Sequence, residues 1–182
     1  MLETNSDSEL LDLLRGGNRE ALGELYNRHH QRLLRYCSRL LKDEQRAKDA
    51  VQNVFVKLQT GQQNIRNSQS LQSWLFAVAR NEALADIKLK KNITADDSMV
   101  WEGNSPEEEL LAKERTDVVG IVLQRLSASY REVIILREYE RMSYEEIAGI
   151  TGATVSSVKS RLFKARKALI EKLIPYFNER KL

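Results

Sequence analysis

The sequence predicts an all-α protein made of two small helical domains joined by a flexible acidic linker. Nearly every apolar pattern in the 182 residues repeats with the period of a helix. Residues 92–109 contain six acids and no Lys or Arg, together with the helix breakers Gly103 and Pro106, which is typical of a linker. We therefore expect one domain at 1–91 and a second domain at 110–182.

The first domain begins with three predicted helices. A short helix over residues 8–15 ends at a Gly-Gly pair, and Asn18 caps a long helix over residues 19–42. The apolar stripe of the long helix includes His29, for which a hydrogen-bonded packing role is the common one, so it is assigned no function. A third helix over residues 44–59 would pack against that stripe and bury four apolar side chains, Val51, Val54, Phe55 and Leu58.

A polar segment and a fourth helix complete the first domain. Residues 61–73 are rich in Gln, Asn and Ser and are predicted to form an unusually long loop, which favours a functional role. The helix that follows, over residues 71–91, carries polar and basic side chains on the side away from its apolar positions: Arg80, Asn81, Lys88 and Lys91. Loop and helix together form one possible nucleic-acid surface.

The second domain is predicted to consist of a helix over residues 110–126 and three more helices that end at Pro175. The apolar run 133–136 has the composition of a buried strand, but it is interpreted as helix. Ser129 and Glu132 have the spacing of a capping box just before it, which predicts a helix start there.

A helix-turn-helix is predicted over residues 143–169. Ser143 and Glu146 form a capping box, and Gly152 supplies the turn. Between residues 155 and 172 there are six Lys or Arg and one acid, which favours binding to phosphate. One side of the second helix is an apolar stripe of Val158, Leu162, Ala165 and Leu169. Away from it lie Ser156, Lys159, Ser160, Phe163, Lys164 and Lys167.

Composition excludes several other classes of protein. Hydrophobic content of 42%, charged content of 30% and a net charge of +3 are ordinary for a globular chain. The single cysteine excludes a disulfide within the chain. The polar start is unlike a signal peptide, and no apolar run has membrane-spanning length. The cytoplasm is therefore the expected compartment. The two histidines are adjacent and no phosphate-binding Gly motif is present, so neither an enzyme, a metal site nor a cofactor is expected.

Two separate candidate DNA surfaces joined by an acidic linker resemble a known family. Over residues 8–175 the chain resembles a bacterial RNA polymerase sigma factor of the small extracytoplasmic-function (ECF) group. Sigma region 2 would cover residues 10–91 and sigma region 4 residues 110–175. The resemblance implies an all-α sigma factor that directs core polymerase to promoters and assists their melting.

The segment KDAVQNVFVKL, residues 48–58, is similar to the family's D-x-x-Q-E-x-F helix, which binds the clamp of the polymerase β′ subunit. The resemblance implies polymerase contacts from Asp49, Gln52 and Asn53, of which Asn53 stands where the family usually has Glu. Phe55 matches the motif as well, but core packing is expected for it.

The segment SWLFAVARNEALADIKLKK, residues 73–91, resembles the family's promoter-melting helix, and the preceding loop resembles the one that captures a base flipped from the minus-ten element. Amide and hydroxyl groups suit the edge of an unstacked base, and cations suit its phosphates. The minus-ten residues implied are Ile65, Arg66, Asn67, Ser68, Gln69, Ser70, Arg80, Asn81 and Lys88.

The segment SSVKSRLFKARKAL, residues 156–169, is similar to the family's recognition helix, with Ser156 and Ser157 in place of a Gly-Thr pair. Lysine donates to guanine O6 or N7, and Phe163 suits a thymine methyl. The minus-thirty-five residues implied are Arg137, Ser156, Lys159, Ser160, Arg161, Phe163, Lys164 and Lys167. For Arg161 and Arg166, binding of phosphates or pairing with acids is expected.

The resemblance also implies partners. These are the β′ clamp and β subunit of core polymerase, promoter DNA that is double-stranded at minus thirty-five and single-stranded at minus ten, and an anti-sigma factor, without membrane insertion. Two alternatives stay open. A stand-alone helix-turn-helix regulator would bind duplex DNA without polymerase, and a helical protein-interaction module would use the basic helix on an acidic protein.

Overall fold

The structure is a computed structural model that describes residues 2–65, 68–93 and 118–178. Regular structure in these ranges is helical, which confirms the all-α prediction. Most of the predicted linker and the start of the predicted helix 110–126 lie outside the described residues. The helices are α1 Asp7–Arg15, α2 Arg19–Leu41, α3 Glu44–Gly61, α4 Ser68–Ile93, α5 Val118–Gln124, α6 Ala128–Ile134, α7 Tyr144–Thr151 and α8 Val155–Asn178.

Short-range capping sets the ends of the first three helices. Ser6 accepts a hydrogen bond from the Glu9 backbone N–H in a capping box at the start of α1. Asn18 accepts from the Glu20 N–H at 2.9 Å and caps α2, as predicted. Lys42, with φ of 61°, ends α2 in the left-handed region, and Asp43 caps α3. These turns fold α1, α2 and α3 back on one another.

The core of the first block of helices, α1 to α4, is centred on α2. Tyr36 and Phe76 are fully buried with ring centroids 5.2 Å apart. Burial raises the pKa of the neighbouring Cys37 thiol to about 12. His29 is buried with its Nε2 2.8 Å from the Asp7 carboxylate, in the hydrogen-bonded role expected of it.

The predicted long loop at residues 61–73 is wrong. A short 3₁₀ turn, Gln62–Asn64, follows α3 directly, and α4 already begins at Ser68. Arg15 donates to the backbone oxygens of Gln62 and Ile65, and the Ile65 side chain is buried. Helix α1 and the core therefore hold residues 62–65 in place. Gln and Ser are acceptable in an exposed helix, so their abundance does not indicate a loop.

The second block, α5 to α8, begins differently from the prediction. The capping box of Ser129 and Glu132 is wrong, because α6 starts at Ala128 with Ser127 as its N-cap. Glu132 is instead buried with partners from the first block. The run 133–136 is helical, as interpreted, and passes into a π-helical turn, Ile135–Tyr139, before Arg141 takes a φ of 56°.

The predicted helix-turn-helix is confirmed in its local details. Ser143 and Glu146 form the capping box that starts α7, and Gly152 ends α7 with a φ of 66°, a conformation that glycine adopts without strain. Thr154 accepts from the Ser157 N–H at 3.2 Å at the start of α8. The end predicted at Pro175 is wrong: α8 continues to Asn178, with Tyr176 half-buried beside Arg125.

The two blocks pack against each other, and their buried apolar residues form one continuous cluster. Helix α4 lies against α7. Among the described residues, two ion pairs cross the boundary, with Arg32 Nε 2.9 Å from the Glu140 carboxylate and Arg80 Nε 2.7 Å from the Glu132 carboxylate. We call these four residues the cross-block interface. Both carboxylates are buried, and each is paired with an arginine of the other block.

Two further groups complete the packing of this interface. The Tyr36 hydroxyl donates to Glu132 at 3.3 Å, and burial followed by the charge of Glu132 raises the pKa of Tyr36 well above its usual range. Arg131 is buried and donates to the Leu40 carbonyl at 2.7 Å. It also donates to three carbonyls near the end of α5, those of Leu123, Gln124 and Leu126. Its guanidinium therefore ties the end of α2 to the second block.

Candidate nucleic-acid interface

Helix α8 exposes a continuous polar and basic surface. Its anchored side is buried, because Val158, Leu162 and Ala165 are each at most 1% exposed. This burial fixes the rotation of α8 about its axis. The opposite side, which we call the recognition face, consists of the exposed residues Ser156, Lys159, Ser160, Phe163, Lys164 and Lys167. The structure thus brings together six of the eight residues predicted for the minus-thirty-five element.

Phe163 gives the recognition face an apolar point among its charges. Its side chain is 71% exposed. Hydroxyl, ammonium and aromatic groups on one exposed helix can meet phosphates, base edges and a thymine methyl together. Among the residues that the structure describes, neither Lys159 nor Lys164 takes part in an ion pair, so both ammonium groups are available to DNA.

Arg137 lies in the π-helical turn rather than on α8. Its Nη1 donates to the Met142 carbonyl at 2.6 Å, and its guanidinium carbon is 4.7 Å from the centroid of the Tyr144 ring. The ammonium of Lys159 lies 5.5 Å from the same ring centroid. Tyr144 therefore links a cation from the π-helical turn with one from the recognition face.

The two remaining arginines of α8 flank the recognition face. Arg166 forms an ion pair with Glu138 at 2.6 Å, which is one of the two roles expected for it. Arg161 is half-buried between the recognition face and the anchored side. Both positions suit orientation of the helix better than the reading of bases.

Of the residues predicted for the minus-ten element, the structure describes the side chains of three, Ile65, Arg80 and Asn81. Ile65 is 2% exposed and belongs to the core. Asn81 is exposed on α4, whereas the adjacent Arg80 is 21% exposed and pairs with Glu132. Arg66 and Asn67 lie outside the described residues, as do the side chains of Ser68, Gln69, Ser70 and Lys88.

Helix α3 exposes the three residues predicted to contact polymerase. Asp49, Gln52 and Asn53 are all exposed, while Phe55 is buried and packs edge-on against Tyr26 at 4.8 Å between centroids, the core role expected of it. Val56, 54% exposed, extends this surface toward the end of the helix. We call Asp49, Gln52, Asn53 and Val56 the α3 face.

Asn53 is also tied to α4. Its side-chain amide donates to the Glu82 carboxylate at 2.9 Å, and Lys57 pairs with the same carboxylate at 2.6 Å. Burial raises the pKa of Glu82, but the hydrogen bonds from Lys57 and Asn53 outweigh it and hold that pKa below its usual value. A glutamate at position 53 would face Glu82 with a like charge. Asn53 contacts Glu82 without that repulsion.

Comparison with known proteins identifies both blocks. The family model for sigma-70 region 2 matches residues 25–92, and that for sigma-70 region 4 matches residues 122–169. The RNA polymerase sigma-H factor of Pseudomonas aeruginosa is 30% identical, over 98% of this chain and 100% of its own length. The chain belongs to the sigma-70 family of RNA polymerase sigma factors.

Other relatives place this sigma factor in the ECF group. The ECF RNA polymerase sigma-E factor of Escherichia coli K12 is 27% identical over 96% of this chain and 98% of its own length. The sigma factor YlaC of Bacillus subtilis is 30% identical over 84% of this chain and 91% of its own length. The protein accordingly directs RNA polymerase to promoters in transcription initiation. Its match to region 2 as well as region 4 favours neither the stand-alone regulator nor the interaction module.

Solved structures share its fold. CnrH in complex with the cytosolic domain of CnrY superposes with a TM-score of 0.72 at 25% identity, covering 93% of this chain and 97% of CnrH. The sigma factor RpoE of Bartonella quintana, in complex with the anti-sigma factor NepR, gives a TM-score of 0.64 at 28% identity, covering 79% of this chain and 90% of RpoE. Both similarities extend over the two blocks of the sigma factor.

Neither a metal site nor a membrane-spanning helix occurs in the described parts of the chain. These parts bring together no cluster of His, Cys, Asp and Glu that could hold a metal ion. None of their helices is long and apolar enough to cross a membrane.

Sequence patterns alone miss three residues of these surfaces. Tyr144 is inconspicuous beside its capping serine, Glu82 falls on the apolar side of α4, and Glu132 has the spacing of a cap. Each acts through partners that are distant in the chain. Asn53, where the family motif usually has Glu, is the one departure in the sequence that could have directed attention to this position and so to Glu82.

Proposed function

We propose that the recognition face reads the minus-thirty-five element in the major groove of duplex DNA. The single observation that carries this proposal is the recognition face itself, an exposed basic surface on a helix whose other side is anchored in the core. Lys159, Lys164 and Ser160 donate to base edges or phosphates, and Phe163 contacts a thymine methyl. Arg137 and Arg161 contact the backbone and set the orientation of the helix.

The first block, in this proposal, binds polymerase and the minus-ten strand. The α3 face contacts the β′ clamp through carboxylate, amide and apolar groups. Asn81, together with residues 66–70, receives unstacked bases of the minus-ten element through amide, hydroxyl and guanidinium groups. The buried Ile65 supports that segment from the core. Arg80 and Lys88 neutralise phosphates of the single strand. Arg80 is free to do so only after it leaves Glu132.

The proposal also assigns a role to each part of the chain. Residues 1–91 act as sigma region 2, residues 92–109 as an acidic linker and residues 110–182 as sigma region 4. The protein works in the cytoplasm as a binding factor and is not itself a catalyst. The RpoE structure contains an anti-sigma factor. An anti-sigma factor that covers the α3 face and the recognition face would also regulate this chain.

Run-off transcription with purified bacterial core polymerase tests the proposal. Wild type is compared with Lys159→Ala and Asn81→Ala on candidate promoters from the genome that encodes it. Two controls match these changes. Lys172→Ala removes an exposed lysine of α8 about 20 Å along the helix from Lys159. Asn27→Ala removes an exposed amide on α2.

We expect transcripts that require the protein, that weaken in both test variants and that persist in both controls. Heteroduplex templates with a pre-opened minus-ten region separate the two surfaces further. They should restore activity to Asn81→Ala more than to Lys159→Ala, because only the former would be defective in holding melted DNA. Equal activity of all variants with wild type would refute the assignment of these surfaces. Duplex binding without any binding to core polymerase would refute the polymerase role of the α3 face.

A further inference from the structure

Tyr144 is close to two cations that come from different parts of the second block. Its ring is 4.7 Å from the guanidinium carbon of Arg137 and 5.5 Å from the ammonium of Lys159. Both distances are within the range of about 6 Å over which a cation is attracted to an aromatic face. The ring itself is half-buried.

The backbone around Tyr144 holds its ring in place. Tyr144 is the first residue of α7 and follows Ser143, whose capping box fixes the start of that helix. The Glu146 carboxylate is occupied by the backbone N–H of Ser143 at 2.7 Å, so it is turned toward the helix start. The left-handed Gly152 then sets the direction in which α8 leaves α7. The ring is therefore a fixed support beside the recognition face.

Lys159 depends on this support more than Arg137 does. Arg137 is also held by the Met142 carbonyl at 2.6 Å. Lys159 is exposed, and an unsupported lysine loses much side-chain freedom when it binds one base or phosphate. Two cations beside one ring also repel each other, and a base edge or a phosphate that contacts both relieves that repulsion. The ring thus prepares both cations for DNA.

We propose that Tyr144 is a positioning residue for minus-thirty-five recognition. Its ring holds the Lys159 ammonium, and secondarily the Arg137 guanidinium, in the orientation from which they meet DNA. This inference rests on the proposed function of Lys159. In this proposal Tyr144 contributes to the base selectivity of Lys159 without contacting a base itself.

The experiment uses the full chain assembled with core polymerase. The probe is a pool of duplex promoters that share one sequence used by wild type in run-off transcription but carry a randomised minus-thirty-five element. Enrichment by each holoenzyme gives its relative affinity for every base pair. The single variants are Tyr144→Phe, which keeps the ring, Tyr144→Leu, which keeps only apolar bulk, and Lys159→Ala. A double variant combines Tyr144→Leu with Lys159→Ala.

We expect Tyr144→Phe to bind within about twofold of wild type and Tyr144→Leu to bind about three- to tenfold more weakly. The lost selectivity should fall on the same base pairs that lose selectivity in Lys159→Ala. The loss on adding Tyr144→Leu to Lys159→Ala should be clearly smaller than the loss from Tyr144→Leu alone, since the ring acts mainly through the lysine. Independent, multiplying losses in the double variant, or wild-type selectivity in Tyr144→Leu, would overturn the inference.

A second series keeps the test valid if Tyr144→Leu fails to fold. Phenylalanine and its mono-, di- and trifluorinated forms are placed at position 144. Fluorine withdraws electron density from the ring face with little change in shape, so affinity should fall with each fluorine. Constant affinity across this series would contradict the proposal. If Lys159→Ala itself keeps full selectivity, the proposed function of that lysine and this inference both fall. Failure of the fluorine series alone refutes only the inference.

Discussion

Replacement of Arg80 by Met removes the cation that faces Glu132 across the cross-block interface. The Glu132 side chain is 3% exposed, its distance to Arg80 is 2.7 Å, and the hydroxyl of Tyr36 at 3.3 Å would be its remaining side-chain partner. Removal of one member of a buried ion pair costs about 3–5 kcal/mol, because the other charge stays buried without compensation. Arg80 is partly exposed, so we expect a cost near the lower end, about 3 kcal/mol.

The chain can avoid this cost by separating its two blocks, because separation returns the Glu132 carboxylate to water. A change of about 3 kcal/mol shifts the balance between packed and separated forms by about a hundredfold. Small-angle scattering measures this directly, since a compact chain of this length has a radius of gyration of about 16 Å. Energy transfer between dyes on cysteines placed at the exposed positions Gln45 and Lys172 gives a second distance. Both should report a more extended Arg80→Met protein.

Two further variants decide whether the buried charge is the cause. Arg46→Met breaks a pair with Asp86 at 2.9 Å that lies within the first block, and it should leave the chain compact. Arg80→Met combined with Glu132→Leu removes both charges and should restore compactness. The reasoning is refuted if Arg80→Met alone stays as compact as wild type, with its unfolding free energy within about 1 kcal/mol of the wild-type value.

Three other results are expected. Asn53→Glu places a second carboxylate against Glu82 and should lower the free energy of unfolding by about 1–3 kcal/mol at pH 7. The loss should be smaller below about pH 4, where the acids protonate. Asn53→Gln should be nearly neutral, and thermal unfolding at the two pH values measures both variants. Ser143→Ala should cost about 1 kcal/mol in urea unfolding, and Ser129→Ala, which removes no cap, should cost far less. The Cys37 thiol, whose pKa is about 12, should react with a disulfide reagent at about pH 8 roughly a thousandfold more slowly than in the urea-unfolded chain. Fast labelling of the folded protein would contradict the burial of that thiol.

Local patterns predict the structure well where the partners are close in the chain. Ser143 and Gly152 can be placed from sequence because a cap and a left-handed turn involve only the next few residues. Glu132 has the same capping pattern but is drawn away by Arg80, which lies 52 residues earlier, and composition at 61–73 does not distinguish an exposed helix from a loop. The contact between Tyr144 and Lys159 depends on the angle between α7 and α8. No periodicity along the chain encodes such an angle.

The packing of the two blocks also limits how far one molecule can reach. Elements centred near minus ten and minus thirty-five lie about 25 base pairs apart, which is about 85 Å of duplex. A compact chain of 182 residues is only about 40 Å across. The packed form is therefore too short to lie on both elements at once. For the chain to contact both elements as proposed, Glu132 and Glu140 must lose their arginines, and we propose the free energy of polymerase binding as the source for that separation.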